Sequence, residues 1–410
     1  MTGLLEKVNS PDIGELCVRH PEMRKYYDGE RGWYDFEQLE AVYLLTEALL
    51  ADYVGLDVQL DRNHLCPRVA NRLDYVEWIR DVVKWHKTPG EVVYGLDIGV
   101  GSSCIYPLLG CKVTEAYEDD WVFYGTDVDE RSLAKCQENI SRNGLDHRIK
   151  VMKCSGASFF DLPIKEQLTF CMANPPFYSD KDDMEHSRER KASGGPHSND
   201  LWATDTELYT PGGEVQFTVD MLRESMRSKT PLTWYSTMVG KKSTLMELIR
   251  VLREEFSHDN YGFHEIKTGN KTKRWCLVWT RTNFRIRDDL ARSYNASLRS
   301  LNPFPTLFSL HVPEQSDISF VQSLLDPLQP QLEMKLNGEW LEASCSGDVW
   351  SRSFRRKVAR NEPIPLPADK SYVFRMRVIN GHVEVHWLQG LDFKIFESFT
   401  GMLKRSLNSN

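Results

Sequence analysis

The residues best suited to chemistry are Ala173-Asn174-Pro175-Pro176-Phe177. An apolar run from Leu168 leads into them and a long polar segment follows. A buried strand is therefore expected to deliver one amide, two prolines and one aromatic ring to a sheet edge. The amide oxygen of Asn174 and the backbone carbonyl of Pro175 can accept both protons of an exocyclic amine, leaving its lone pair to attack a methyl donor. Phe177 offers a stacking face, worth about 1–3 kcal/mol per base on comparable platforms. Pro175 and Pro176 stiffen the turn and lower the entropy lost in ordering it. Methyl transfer to a neutral amine needs no strong general base, because the cation formed can lose its proton afterwards; positioning supplies most of the rate. The set suits adenine, cytosine or a glutamine amide and does not choose among them.

A donor half is expected from a second constellation. Val92 to Ile98 reads as a buried strand, and Asp97-Ile98-Gly99-Val100-Gly101-Ser102-Ser103 turns it into a helix. Glycines there admit a ligand to the backbone, and the helix start presents free N–H groups. Asp127 ends the next strand, where doubly wound folds hold ribose hydroxyls on an acidic side chain. The third glycine of a dinucleotide fingerprint is missing, which disfavours NAD. A small nucleoside cofactor is expected, S-adenosylmethionine foremost, against Asp97, Gly99, Gly101, Ser103 and Asp127.

These residues need a scaffold, and the periodicities supply one. Two helices come first, one capped by Asp35 and running to about Tyr53, one capped by Asn71 and ending before Thr88-Pro89-Gly90. Strand and helix then alternate: a strand to Ile98, a helix from Cys104, a strand from Trp121, a helix from Glu130 to Asn143, and strands at Ile149–Met152 and 168–173. Such alternation means a parallel sheet covered on both faces. Residues 178–213 lack hydrophobic periodicity and are too long for an inert connection, so they read as a lid. A helix to about Arg227, a strand over Leu232–Met238, a helix from Ser243 and a closing hairpin near Tyr261–Lys267 and Arg274–Thr280 complete the sheet. Beyond a polar linker, strands at Leu307–Val312, Gln331–Leu336, Tyr372–Ile379 and His382–Leu388 and a terminal helix, Phe393–Leu407, read as a small α+β domain. The expected division is a helical extension at 1–90, a Rossmann-like domain at 91–285, a linker at 286–305 and an accessory domain at 306–410.

The chain has 410 residues and a formal net charge of −8, so nucleic-acid binding must come from local basic patches. From residue 303 onward 12 Lys/Arg balance 12 Asp/Glu, and residues 1–302 carry the whole negative charge. Nine cysteines with no Cys-x-x-Cys pair argue against a disulfide framework or a zinc site. The N-terminus has no signal-peptide pattern, no apolar run approaches a membrane span, and no histidine shows metal-ligand spacing. Arg188, Arg190 and Lys191 on the lid, Lys241 and Lys242, and Lys271, Lys273 and Arg274 are candidates for RNA phosphates. So are Arg355, Arg356 and Lys357, which lie between Trp350 and Arg360 in what reads as a loop.

In order along the chain, these motifs resemble the methyltransferase-like protein 16 family of N6-adenosine methyltransferases, which act on U6 snRNA and have bacterial relatives acting on adenine in 23S rRNA. The resemblance spans residues 20–282 and runs through Asn71–Trp78, Asp97–Gly101 with Cys104–Gly110, Thr126–Asp129, Asn174–Phe177, Gly212-Gly213-Glu214, Trp234–Lys242 and Lys273-Arg274-Trp275. It implies an α/β class I S-adenosylmethionine-dependent fold, with Arg72 on the methionine carboxylate, Asp127 on the ribose, Ser158 beside the cofactor and Asn174 on the adenine amine. The last domain is similar to the family's accessory region, a kinase-associated-1-like α+β fold that aids U6 snRNA binding. Asp127 replaces the family's usual Glu. The loop before Ser158 lacks a lysine that in the mammalian relative is thought to obstruct the cofactor, so that regulation is expected to be absent. The N-terminus is poor in basic residues, which weakens one RNA contact. The expectation is a nuclear, secondarily cytoplasmic, monomeric RNA adenine-N6 methyltransferase without metal. The alternatives are another RNA substrate or a non-catalytic RNA-binding scaffold.

Overall fold

A computed structural model describes residues 3–115, 117, 120–185, 204–229, 232–266, 273–360, 362 and 371–408. The chain divides into two compact units, Met1–His258 with Phe263–Trp279, and Asp259–Gly262 with Thr280–Asn410.

Seven strands build the first sheet: β1 (Val93–Ile98), β2 (Trp121–Asp127), β3 (Ile149–Lys153), β4 (Phe170–Ala173), β5 (Tyr235–Val239), β6 (Tyr261–Glu265, its first two residues grouped with the second unit) and β7 (Trp275–Trp279). The first four pair in parallel in the order β3-β2-β1-β4. Phe170 bridges to Trp234 in parallel, and the Cys171 N–H donates to the Trp234 carbonyl, which attaches β5. β7 runs antiparallel to β5, with β6 outside it. The resulting order, β3-β2-β1-β4-β5-β7-β6, is the class I methyltransferase sheet with its reversed closing strand. β1, β4 and β7 are buried along nearly their whole length, as strands covered on both faces must be.

The helices are α1 (Leu4–Asn9), α2 (Ile13–Arg19), α3 (Leu39–Leu49), α4 (Val69–Lys84), α5 (Ile105–Glu115), α6 (Glu130–Arg142), α7 (Asp205–Leu208), α8 (Gly213–Arg227) and α9 (Lys242–Arg250). Two expected caps are corrected. α3 starts after Gln38, not Asp35, and continues as a π-helical turn over Leu50–Val54. α4 starts after Arg68, so Asn71 sits inside its first turn. Asp129 does cap α6, accepting from the Arg131 and Ser132 N–H groups.

Close packing of α5 on the sheet depends on two missing side chains. A Cβ on Gly95 would lie 2.6 Å from the Phe170 ring, and one on Gly110 would overlap the Phe123 ring. Phe123 is fully buried, with Trp121 and Phe170 at 5.8 and 5.7 Å between ring centroids.

The expected lid is only partly irregular. Residues 181–185 are helical, and Thr204 and Glu207 form a reciprocal capping box at α7. Tyr178 bridges to Tyr209. Arg188, Arg190 and Lys191 lie outside the described residues, as does Lys271.

In the second unit β8 (Leu307–His311), β9 (Glu333–Asn337), β10 (Trp340–Cys345), β11 (Tyr372–Ile379) and β12 (His382–Gln389) form an antiparallel sheet ordered β8-β12-β11-β10-β9. Its helices are α10 (Asp288–Ala291), α11 (Ile318–Leu325), α12 (Arg352–Ala359) and α13 (Phe393–Asn408). Phe374 stacks on Phe399 at 4.3 Å and on Phe396 at 5.9 Å, which fixes α13 to the sheet. β10 and α11 were not anticipated. The Trp350–Arg360 stretch is corrected from loop to helix: Ser351 caps α12 by accepting from the Phe354 N–H, and Phe354 is buried. Among the described residues no helix is long and apolar enough to cross a membrane, and no group of three His, Cys, Asp or Glu side chains could hold a metal ion.

Candidate active site

Register brings the two halves of the site together. Thr126, Ile98 and Ala173 stand abreast on β2, β1 and β4. The residues after them, Asp127, Gly99 and Asn174, therefore reach the carboxyl edge of the sheet side by side. Continuing the Phe170–Trp234 register places Met238 next in that row.

On the donor side Gly99 and Gly101 have φ of +73° and +64°, and nothing lies within 4 Å of a Cβ built on either. Left-handed backbone facing open space is what a ligand-cradling loop requires. Ser103 is half-buried in the same turn. The Asp127 carboxylate is clamped from two sides: Oδ2 accepts the Gly101 N–H at 2.9 Å and Oδ1 the Asp129 N–H at 3.0 Å. Each oxygen keeps a lone pair for ribose hydroxyls. Asp97 is fully buried, and among the described residues neither carboxyl oxygen has a hydrogen-bond partner. Burial pushes its pKa from 3.8 to about 8; nearby Arg72 opposes the rise and Asp127 adds to it.

Two unpartnered buried groups, the Asp97 carboxyl and Arg72 Nε, sit with the open glycine loop and the clamped Asp127. That donor set fits S-adenosylmethionine, with Arg72 suited to its carboxylate, Asp97 to its ammonium and Asp127 to its ribose. Asp97 carries a measurable consequence. Between about pH 4 and pH 8 the native state keeps a proton that the unfolded chain has lost, so stability falls as pH rises through that window. Asp97→Asn, neutral throughout, is expected to melt above the wild type by a margin that grows from pH 5 to pH 8, and to bind cofactor more weakly. Melting curves across pH check this; a pH-independent margin would refute it.

On the acceptor side the Asn174 amide oxygen accepts from Arg72 Nη1 at 2.9 Å. Arg72 projects from α4, is only 8% exposed, and also donates from Nη1 to the Tyr106 hydroxyl at 2.8 Å, with Met238 Sδ 3.2 Å from the same nitrogen. Its guanidinium lies 5.3 Å from the Tyr106 ring centroid. Pro175 is buried, while Pro176 and Phe177 are half-buried beside it. Phe177 meets Tyr178 edge-on at 6.4 Å. The Arg274 guanidinium stands 5.7 Å from the Phe177 ring centroid, within cation–π range.

Behind Phe177, Glu214 is buried and accepts from the Gly240 N–H. A Cβ on Gly240 would come within 2.9 Å of that carboxylate oxygen and 3.6 Å of the Phe177 ring. Burial raises the Glu214 carboxyl, opposed by Thr244, the Gly240 N–H, Lys241 and Arg274.

The structure thus gathers Arg72, Asp97, Gly99, Gly101, Asp127 and the Asn174–Phe177 wall. The Ser158 hydroxyl donates to Glu224 on α8 and accepts from the Phe160 and Asp161 N–H groups. Of the basic candidates, Lys241 is exposed and Lys242 half-buried at the start of α9. Lys273 is ion-paired with Glu265, and Arg274 packs on Phe177. Arg355 and Arg356 are exposed and Lys357 half-buried on α12. Tyr106, Met238, Glu214 and Gly240 entered the sequence reading only within stretches that carry the family resemblance, with no role of their own. Tyr106 could have been read as a polar side chain inside an apolar run, and Glu214 as an acid directly after a glycine pair.

A family described as RNA methyltransferase matches residues 6–283. The chain is 33% identical over 391 residues to the U6 small nuclear RNA (adenine-(43)-N(6))-methyltransferase of Schizosaccharomyces pombe, covering 93% of this chain and 97% of that protein. To the RNA N(6)-adenosine-methyltransferase METTL16 of Homo sapiens it is 31% identical over 282 residues, covering 67% of this chain and 49% of that protein. The chain therefore spans about half the length of the human relative. It is similar to the crystal structure of the human catalytic domain in complex with MAT2A 3'UTR hairpin 1 (TM-score 0.59, 31% identity, 66% of this chain and 91% of that one). It is also similar to the N-terminal domain of human METTL16 in complex with SAH (TM-score 0.54, 29% identity, 67% and 95%).

Proposed function

The chain belongs to the RNA methyltransferase family that includes the U6 snRNA adenine-N6 methyltransferases, and from that premise we propose that it methylates N6 of an adenosine in structured RNA, with U6 snRNA as the substrate. The observation that carries this reading is the Asn174-Pro175-Pro176-Phe177 wall placed one strand away from the Gly99–Gly101 loop. S-adenosylmethionine, when bound, supplies an electrophilic methyl group on sulfur that departs to leave a neutral thioether. The chain's own residues hold the acceptor. The Asn174 amide oxygen and the Pro175 carbonyl accept hydrogen bonds from the two amine N–H groups, and Phe177 stacks on the base with Arg274 beside it. Nitrogen gains the methyl, becomes cationic and releases one proton to solvent. The base enters from a single-stranded or flipped position, since N6 is otherwise engaged in pairing. The test is mass spectrometry of N6-methyladenosine in U6 snRNA incubated with the full chain and cofactor; no product in U6 snRNA would overturn the substrate, and no product in any RNA the reaction.

RNA grip is assigned to Lys241 and Lys242 beside the site and to Arg355, Arg356 and Lys357 on α12. Replacing these last three together with Ala is expected to weaken RNA binding and to flatten its salt dependence by up to about 3 in the log–log slope, near one for each phosphate no longer neutralised. Titrations at several salt concentrations check this, and an unchanged slope would remove α12 from the interface. A nuclear monomer fits an enzyme acting on a small nuclear RNA. A scaffold that only binds RNA is disfavoured by the open glycine loop and the clamped Asp127, which have no use without a cofactor.

A further inference from the structure

The contact between Arg72 and Asn174 points beyond cofactor binding. We propose that Arg72 is a positioning residue for the acceptor amide, selecting which end of Asn174 faces the substrate amine. This rests on the N6-methylation reading above. A side-chain amide has one accepting and one donating end of nearly equal shape, and half a turn about its last torsion exchanges them. Only the oxygen can accept a hydrogen bond from the amine; the NH2 end there would set donor against donor. Asn174 stands just past the end of β4, so strand pairing does not choose between the two orientations.

Arg72 does. A guanidinium carries donors and no acceptor, and Nη1 lies 2.9 Å from the Asn174 amide atom it faces. That atom must be the oxygen. The guanidinium is itself fixed by the Tyr106 hydroxyl at 2.8 Å, by Met238 Sδ at 3.2 Å and by the ring of Tyr106. An amide oxygen has two lone pairs, so one holds Arg72 and the other remains for the amine. Arg72 Nε is still unpartnered and buried, available to the cofactor carboxylate. One side chain therefore serves both halves of the site by different atoms, and its two roles separate in kinetics.

Arg72→Lys keeps the charge but not the fork that reaches Asn174. With U6 snRNA and S-adenosylmethionine both saturating, kcat is expected to fall about 10- to 100-fold, the scale of a lost hydrogen bond to a charged group. S-adenosylhomocysteine affinity, measured by calorimetry, reports the cofactor role separately. In an Asn174→Asp background either end of the side chain accepts, the choice of orientation disappears, and adding Arg72→Lys is expected to change kcat less than about 2-fold. Recovery of wild-type kcat by Arg72→Lys at saturating cofactor, or an equal loss in both backgrounds, would overturn the proposal. Should Arg72→Lys fail to melt cooperatively, Tyr106→Phe replaces it: a kcat loss of about 3-fold or more confined to the Asn174 background supports the proposal, and equal losses in both overturn it. Failure of the wild type to make N6-methyladenosine would strike the parent reading instead, and it is measured first.

Discussion

Asn174→Ala is expected to lower methyl transfer to U6 snRNA by about 1000-fold while changing RNA affinity by less than about 2-fold. The substitution removes the side-chain acceptor for the amine and frees Arg72 Nη1 from its amide partner. A single preorganised hydrogen-bonding group at a reacting centre is worth about 100- to 1000-fold, and the upper end applies because positioning is nearly all this site does for a nucleophile that needs no base. RNA affinity is expected to be insulated because the proposed grip lies on basic residues elsewhere, among them Lys241 on α9 and Arg355 and Arg356 on α12. Single-turnover methylation with labelled cofactor, beside filter binding of the same RNA, measures both. Undiminished turnover would remove Asn174 from the acceptor site.

The second large effect is on stability. Gly110→Ala in α5 sets two forces against each other. Helix propensity favours Ala over Gly by about 1 kcal/mol, whereas overpacking a filled core costs about 1–3 kcal/mol or more. Here the added methyl would overlap the Phe123 ring. That ring cannot retreat, because Gly95, Trp121 and Phe170 enclose it. Overpacking wins, and a net loss of about 2 kcal/mol is expected in denaturant unfolding, with the slope unchanged. Adding Phe123→Leu, which withdraws the ring edge, is expected to return part of the loss. A more stable Gly110→Ala would show that α5 is not held by this contact.

Much of this was legible in the chain because the informative residues were local. Strand–helix alternation gave the parallel sheet, and the Gly99–Gly101 turn, Asp127 and Asn174–Phe177 are the residues that the strand register then sets side by side. The link between the halves was not local. Arg72 and Asn174 are 102 residues apart, and only the family resemblance brought Arg72 into the site at all. Arg274 read as one more exposed cation in a basic run, yet its guanidinium packs beside Phe177, a placement set by the β7 register rather than by neighbours in sequence. The helix at Arg352–Ala359 was missed because one buried residue, Phe354, leaves no apolar stripe to detect; its cap, Ser351, was the readable sign. β10 was missed because Glu342, Ala343 and Ser344 are weak strand formers whose alternation shows only once β9 and β11 flank them.

The row formed by Asp127, Gly99, Asn174 and Met238 also limits how such an enzyme can change. Neighbouring strands stand about 4.8 Å apart, so the gap between the Gly99 turn and Asn174 is a spacing of the backbone lattice, which no point substitution resets. Side chains along the row are free to drift. A one-residue insertion or deletion inside β1 or β4 is not tolerated, because it would turn Gly99 or Asn174 to the opposite face of the sheet. Length variation has a permitted outlet instead between Tyr178 and Tyr209, whose mutual bridge closes the excursion at its base. Lineages are therefore expected to diverge in RNA choice by gaining and losing residues there, while the chemistry upstream keeps its register.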